Sequence, residues 1–323
     1  MDGYLVGMDG SVVAADRAVV ERALRENRLL WLDLRGVDED TAAMLRDTFH
    51  FHPVALTDVS EFGQRPRGES FGDTVYLVGY SATAVLGELV EVHSFYSERF
   101  LITVRKADCP ALDAMRTWAG SSGGQAAFPN RPLRLITLHR IMDAMTDSYF
   151  APLSELDDRI DSLTERIFDN PSKDELSDLL SMQRWLVGLR KLVTPQRDVL
   201  AGLLSGMVEL PGKTDAADPY LRDLYDHVIR ISDLIDSYRD LLSNAMDAYL
   251  SMVSNKLNEV MKQLTVIATV FLPLSFLTGF FGQNFAWLVG RMGGLATFLL
   301  LGIGTEVLAV VGLYWLFRRR GWL

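Results

Sequence analysis

Residues 264–281 read LTVIATVFLPLSFLTGFF, and residues 294–317 read GLATFLLLGIGTEVLAVVGLYWLF. The first stretch carries no charge and has about the minimum length of a bilayer span; the second is longer and carries one charge, Glu306. Two such stretches joined by a short turn predict a membrane hairpin, against the alternative of two buried helices in a soluble core. Basic residues set its orientation. Lys256 and Lys262 precede the first span, Arg318, Arg319 and Arg320 follow the second, and the turn at 282–293 holds only Arg291. Both ends are therefore expected in the cytoplasm and the turn outside, at a plasma or inner membrane. Met1-Asp2-Gly3-Tyr4-Leu5 shows neither a basic n-region nor an apolar h-region, so the N-terminus is expected to stay inside.

Outward from the hairpin the chain changes character. Its 323 residues include 42 acidic and 32 basic side chains, a net charge of -10. An acidic body excludes nucleic acid as a partner, because phosphate binding needs clustered Lys and Arg, and it attracts cations instead. The single cysteine, Cys109, permits no intramolecular disulfide and reads as a buried, inert thiol. Leu29–Leu34, Thr74–Tyr80, Glu91–Tyr96 and Phe100–Val104 are rich in β-branched and aromatic residues and predict strands, with helices at Asp16–Asn27 and Asp38–Phe49 between them. The Gly/Ser-rich loop at 120–125 closes this α/β region. A 3.6-residue periodicity predicts helices from Leu133 to about Phe168 and, after Asn170-Pro171-Ser172, to about Met207. No Pro or Gly interrupts Tyr220 to Leu272, so Tyr220–Phe281 is expected as one helix about 90 Å long, too long for a globular core. The expected division is an α/β cytoplasmic domain at 1–128, a helical region with a long stalk at 129–263, and the hairpin at 264–323.

Two spans cannot enclose a pore, so transport through them requires an oligomer around an axis. The first span offers a lining. Asn258, Met261, Thr265, Ala268, Leu272, Ser275 and Gly279 alternate three and four apart and share one face that is narrow, small or mildly polar, and uncharged. Small residues at helical spacing also make packing seams, but Asn258 and Ser275 favour a conduit. Without a carboxylate, His or Cys, such a face passes a cation that keeps its waters, and Mg2+ dehydrates most reluctantly. Glu306 lies 11 residues before Phe317, about 17 Å from the inner end of its span and close to the midplane. An ionised carboxylate facing lipid there is costly. It is expected to hydrogen-bond Thr269, Ser275 or Thr278 as a neutral acid in a structural role, with proton transfer as the alternative. His50, His52, His93, His139 and His227 are scattered, and no catalytic constellation emerges, so an enzyme is not expected.

The segment Leu264–Phe285, LTVIATVFLPLSFLTGFFGQNF, resembles the first membrane helix and signature of the CorA-type magnesium and cobalt channels, the two-transmembrane GxN family. Trp31-Leu32-Asp33-Leu34, His52-Pro53-Val54-Ala55-Leu56, Arg99–Val104, Tyr225-Asp226-His227 and Ser254–Met261 are similar to family segments as well. The resemblance implies a funnel-shaped homopentamer in the lipid bilayer whose first span lines the pore, passing Mg2+ and also Co2+ or Ni2+. Pore positions of the family fall on Asn258, Met261, Leu264, Leu272, Ser275, Gly279 and Asn284, and the outer filter on Gly282, Gln283 and Asn284. Inhibitory cytoplasmic Mg2+ would bind acids matching Asp223 and Asp247; no other cofactor is implied. The family tripeptide is usually Gly-Met-Asn. Gln283 in the middle place leaves open a ZntB-like Zn2+ transporter coupled to protons, with Glu306 as a proton site, and residues 285–291 lack the acid common after the signature. A membrane-anchored scaffold or ligand sensor is the reading from another class.

Overall fold

Trp31-Leu32-Asp33-Leu34 lies at the centre of a sheet. The computed structural model describes residues 1–83, 85, 87–121, 133–283, 286–291 and 294–322. They form two compact units, Met1–Met246 and Asp247–Leu323. In the first unit, β1 (Gly3–Gly7), β2 (Val12–Ala14), β3 (Leu29–Arg35), β4 (Arg67–Phe71), β5 (Thr74–Ala82), β6 (Leu89–Tyr96) and β7 (Leu101–Arg105) make one sheet in the order β2-β1-β3-β7-β6-β5-β4. All neighbours are antiparallel except β3 and β7, which run parallel with Leu32 opposite Ile102. The strand period of two sends Leu32, Leu34, Ile102 and Val104 to one face. There they share a buried cluster with Val20 of α1 (Arg17–Arg25), Met44 and Leu45 of α2 (Glu39–Asp47), and Ala55 and Val59 of α3 (Pro53–Glu61).

The opposite face of the same strands carries a chain of polar contacts. Trp31 Nε1 donates to Thr103 Oγ1 at 2.9 Å, and the Thr103 hydroxyl donates to Asp33 Oδ1 at 2.7 Å. Arg105 Nη2 reaches Asp33 Oδ2 at 3.0 Å and Asp113 Oδ1 at 2.7 Å, Asp113 belonging to α4 (Pro110–Ala119). Asp33 and Arg105 are both buried. Removing one member strands the other charge in the interior, a loss of about 3–5 kcal/mol. Arg105→Met is accordingly expected to lower the denaturant midpoint of the full chain strongly, whereas Arg35→Met, which breaks only the exposed pair with Asp108, leaves it nearly in place. An unchanged midpoint in Arg105→Met would show the buried pair to be dispensable.

Two expected features are corrected. The helix read from Leu133 to Phe168 is divided into α5 (Leu133–Asp147) and α6 (Phe150–Asp169). The break is tertiary in origin: Ser148 Oγ accepts from the Ala82 N–H at 2.8 Å and donates to Met145 O at 2.5 Å, while Tyr149 Oη donates to Tyr80 O at 2.9 Å, tying the turn to the end of β5. The turn after the first span contains a short helix, α9 (Ala286–Arg291). Between these, α7 (Lys173–Ser205) starts on a capping box in which Ser172 and Glu175 satisfy each other's neighbouring N–H groups. Asp218–Phe281 is one continuous helix of 64 residues, α8, free of Pro and Gly from Tyr220 to Leu272 and continuing past Pro273 and Gly279. Cys109 is buried beside the start of α4, and burial pushes its thiol up.

The second unit holds the outer part of α8, α9 and α10 (Leu295–Arg319). The most apolar windows of α8 and α10 have none of their residues buried, which a soluble core does not leave. Lys262 Nζ donates to Gly321 O at 3.5 Å, so the start of the first span and the end of the second meet on one side, as a hairpin requires.

Candidate functional site

The outer part of α8 presents two sides. Lys262, Val266, Thr269, Val270, Pro273, Leu274, Leu277 and Phe281 are half-buried and mark the covered side. Asn258, Met261, Leu264, Thr265, Ala268, Leu272, Ser275 and Gly279 are all exposed. At 100° per residue the two sets point roughly 140° apart. Pro273 removes one backbone donor from the middle of the span. At the outer end the Gly282 N–H still donates to Thr278 O at 2.9 Å, and a Cβ on Gly282 would lie 3.0 Å from that same oxygen. Glycine thus lets the chain leave the helix without crowding its last carbonyl. Gln283 follows as an exposed residue, whereas Asn284 lies outside the described residues.

Glu306 of α10 reaches one of the three hydroxyls expected for it, its Oε1 standing 3.0 Å from Thr278 Oγ1. In the body, Asp223 is exposed, and Asp247, 24 residues further along α8, is exposed too. Asp223 Oδ1 lies 3.9 Å from His227 Nε2. The other ring nitrogen of His227 faces two carboxylates on α5, with Nδ1 3.5 Å from both Asp143 Oδ1 and Asp147 Oδ1. The three donor atoms of Asp143, Asp147 and His227 lie within 4.8 Å of one another. Asp143 Oδ1 and His227 Nδ1 are buried without a hydrogen-bond partner among the described residues. One nitrogen and two carboxylate oxygens suit a divalent cation of the Co2+ or Zn2+ kind, with oxygen donors open to Mg2+ as well. Sequence reading missed this cluster because Asp147 and His227 are 80 residues apart. The available signal was two i,i+4 pairs on helices, Asp143 with Asp147 and Asp223 with His227. His52, by contrast, is a structural residue: its Nδ1 accepts from the Val54 N–H at 3.3 Å as the cap of α3, and its ring stacks on Phe71.

Burial, and after it the neighbouring Asp143, pushes the Asp147 carboxyl above its ordinary range. In the cation-free protein Asp147 therefore favours the folded state at low pH, and this is lost as pH rises through its folded value. A bound dication reverses that cost, so its stabilising effect grows with pH. Adding Co2+ at a hundredfold excess over its dissociation constant is expected to stabilise the full chain by about 2.7 kcal/mol. Asp143→Asn should remove most of that gain in a thermal melt. An undiminished gain would exclude these side chains as ligands.

An α/β body and a long helix entering two unburied apolar spans, the first with an uncharged small-residue face, define a two-span membrane transport protein. Residues 26–319 match the CorA-like Mg2+ transporter protein family. The chain is 32% identical over 301 residues to the cobalt/magnesium transport protein CorA of Thermotoga maritima, covering 91% of this chain and 83% of that one. It is 25% identical over 301 residues to the zinc transport protein ZntB of Yersinia enterocolitica, covering 91% and 88%. The complete structure of the CorA magnesium transporter from Methanocaldococcus jannaschii superposes with a TM-score of 0.84, covering 100% of this chain and 99% of that one at 22% identity. The chain belongs to the CorA-like Mg2+ transporter family. It is a transporter of divalent cations in a membrane and not an enzyme.

Proposed function

We propose that five copies of the chain assemble around an axis lined by the exposed face of α8 and form a passive channel for hydrated divalent cations, Mg2+ first and Co2+ and Ni2+ with it. The observation that carries this reading is that Asn258, Met261, Leu264, Thr265, Ala268, Leu272, Ser275 and Gly279 are all exposed on the single hairpin, those from Met261 onward centred on the side opposite the covered one. An uncharged ring of hydroxyls, amides and small side chains supplies acceptors to the waters of a cation without holding the ion itself. Gly282, Gln283 and Asn284 form the outer filter, the hairpin lies in the inner (plasma) membrane with both termini cytoplasmic, and residues 129–263 form a cytoplasmic helical region that includes the long stalk helix. Cytoplasmic Mg2+ closes the channel by binding the Asp143, Asp147 and His227 cluster together with Asp223, and Asp247 nearer the membrane. The donor sets support this, since two i,i+4 pairs from separate helices bring together Asp143 Oδ1 and His227 Nδ1, two buried atoms that make no hydrogen bond among the described residues.

A second reading, Zn2+ transport coupled to protons, is favoured by Glu306, by Gln283, and by the likeness to the zinc transport protein ZntB. Flux into liposomes reconstituted with the purified chain tests both. Uptake of Mg2+, Co2+ and Ni2+ that ignores a pH gradient is expected. Zn2+ uptake that requires the gradient, with no Mg2+ flux, would install the second reading, and no flux of any dication would leave the anchored-sensor reading in its place.

A further inference from the structure

Two hairpin turns and the junction between α2 and α3 enclose a cavity of about 490 Å³ at one end of the sheet, a volume within the range of small-molecule sites. Its floor is aromatic. Phe51 stacks on Phe95 with ring centroids 4.0 Å apart, and Phe100 meets Phe49 at 5.0 Å and Phe51 at 5.6 Å. These rings are buried and brace one another, so the floor is formed before any ligand enters. The rim is polar and equally well fixed. The β4–β5 hairpin turns on Gly72, at φ 65°, and Asp73, with Phe71 opposite Thr74. Gly in the first place fits the tight type II′ turn, which sets where Asp73 stands. In the β6–β7 turn the buried Ser97 Oγ accepts from the Arg99 N–H at 3.1 Å and the Phe100 N–H at 3.2 Å, fixing the backbone that carries the Arg99 side chain.

From the α2–α3 junction come Thr48, His50 and His52. His50 is exposed and has φ 54°, a left-handed conformation uncommon for a residue other than glycine, of the kind that gathers at ligand sites. His52, fixed as the cap of α3, accepts the Val54 N–H on Nδ1, which leaves the ring proton on Nε2 as a donor. Charge then sorts the occupant. The acids beside the junction are already held: Glu21, which accepts from the Thr48 hydroxyl, is bonded to Arg17 at 2.9 Å, and Asp47 to Arg46 at 2.9 Å. Arg99 and Asp73 make no ion pair among the described residues. The lining therefore offers a guanidinium, two imidazoles and one carboxylate, in a chain whose net charge is -10. Inorganic phosphate would use the guanidinium and the imidazoles, leave the phenyl rings bare and be repelled by Asp73. A molecule with an anionic group, a planar apolar body and hydroxyl donors uses every part of the wall: the anion at Arg99 and the histidines, the plane on the phenyl rings, the hydroxyls at Asp73. A nucleoside phosphate combines these parts.

We infer that this cavity is a nucleotide-binding site of the α/β body, in which Arg99, His50 and His52 hold the phosphate and Asp73 accepts from the sugar hydroxyls. All of its walls belong to the first unit, so the assignment holds whichever cation the hairpin passes. Equilibrium dialysis of the purified full chain against radiolabelled ADP tests it without measuring flux, with EDTA present so that no cation bridges the nucleotide to a carboxylate elsewhere. Saturable binding of one ADP per chain is expected, with inorganic phosphate and adenosine each competing roughly tenfold or more weakly than unlabelled ADP. Arg99→Gln should weaken ADP by about tenfold or more and leave adenosine unmoved, because it removes a charge-assisted contact to the phosphate. Asp73→Asn should weaken ADP and adenosine alike and spare phosphate. Arg99 and Asp73 are exposed, so neither variant disturbs the core, and Arg35→Gln, which loses only its pair with Asp108, should bind as the wild type does. Absence of saturable ADP binding would overturn the inference, as would binding that Arg99→Gln and Asp73→Asn both leave unchanged. Phosphate competing as well as ADP would reveal an anion site with no nucleoside part and would overturn it too.

Discussion

Gly279→Leu is expected to remove cation flux, on the order of a hundredfold or more, while the protein still folds and assembles. Among the described residues, its own helix backbone aside, no atom lies within 4 Å of a Cβ placed on Gly279, so a side chain there starts into open space. Replacing Gly in a helix interior also gains about 0.8–1 kcal/mol of helix propensity. The expected harm comes from what the exposed face meets in the assembly. If that face surrounds the axis, five isobutyl groups enter the conduit at one level and leave no room for a hydrated ion. Gly312→Leu is the matched control, since a Cβ there also meets nothing within 4 Å but sits on α10. Liposome uptake followed with a Mg2+-sensitive dye should show Gly312→Leu near wild type and Gly279→Leu at background. Equal flux in the two variants would move the lining to another face.

Asn284→Ala should be almost as severe. In the proposed outer filter the Asn284 carboxamides of five copies stand beside those of Gln283 as the side-chain oxygens, because residues 285–291 carry no acid. A ring of amide oxygens accepts hydrogen bonds from the waters of an arriving dication firmly enough to collect it and weakly enough to release it. Alanine removes the whole Asn284 ring at once and leaves only the longer Gln283 side chains. Uptake is expected to fall to background with an unaltered elution volume of the detergent-solubilised assembly, and the wild-type rate in Asn284→Ala would take the residue out of the filter.

The features legible from sequence were those written in local patterns. Apolar runs at 264–281 and 294–317 needed only their length, and the long helix was legible from Tyr220 to Leu272, where no Pro or Gly interrupts it. The exposed face of α8 followed from the helical period alone. What escaped notice depends on partners distant in the chain. β4, Arg-Gly-Glu-Ser-Phe, has almost no strand character and is a strand because β5 pairs with it from Arg67 to Phe71. The exposed three-residue β2 is likewise defined by pairing with β1. The break at Ser148 exists because the end of β5 supplies a donor and an acceptor there. The Asp143, Asp147 and His227 cluster exists only once α5 lies beside α8. Periodicity reports which side of an element is apolar; it does not report which element will arrive against it.

The parallel pairing of β3 with β7 sets a schedule for synthesis. Leu32 and its neighbour Ile102 are 70 residues apart, and the ribosome needs about 4–14 s to deliver that interval. Until then the N-terminal strands carry an open, hydrogen-bonding edge made of Leu-Leu-Trp-Leu, the kind of surface that recruits foreign strands. Nascent chains stalled shortly before residue 101 should consequently be the most aggregation-prone, and a slow codon placed just after residue 105 should improve the yield of folded protein more than the same codon placed before residue 89.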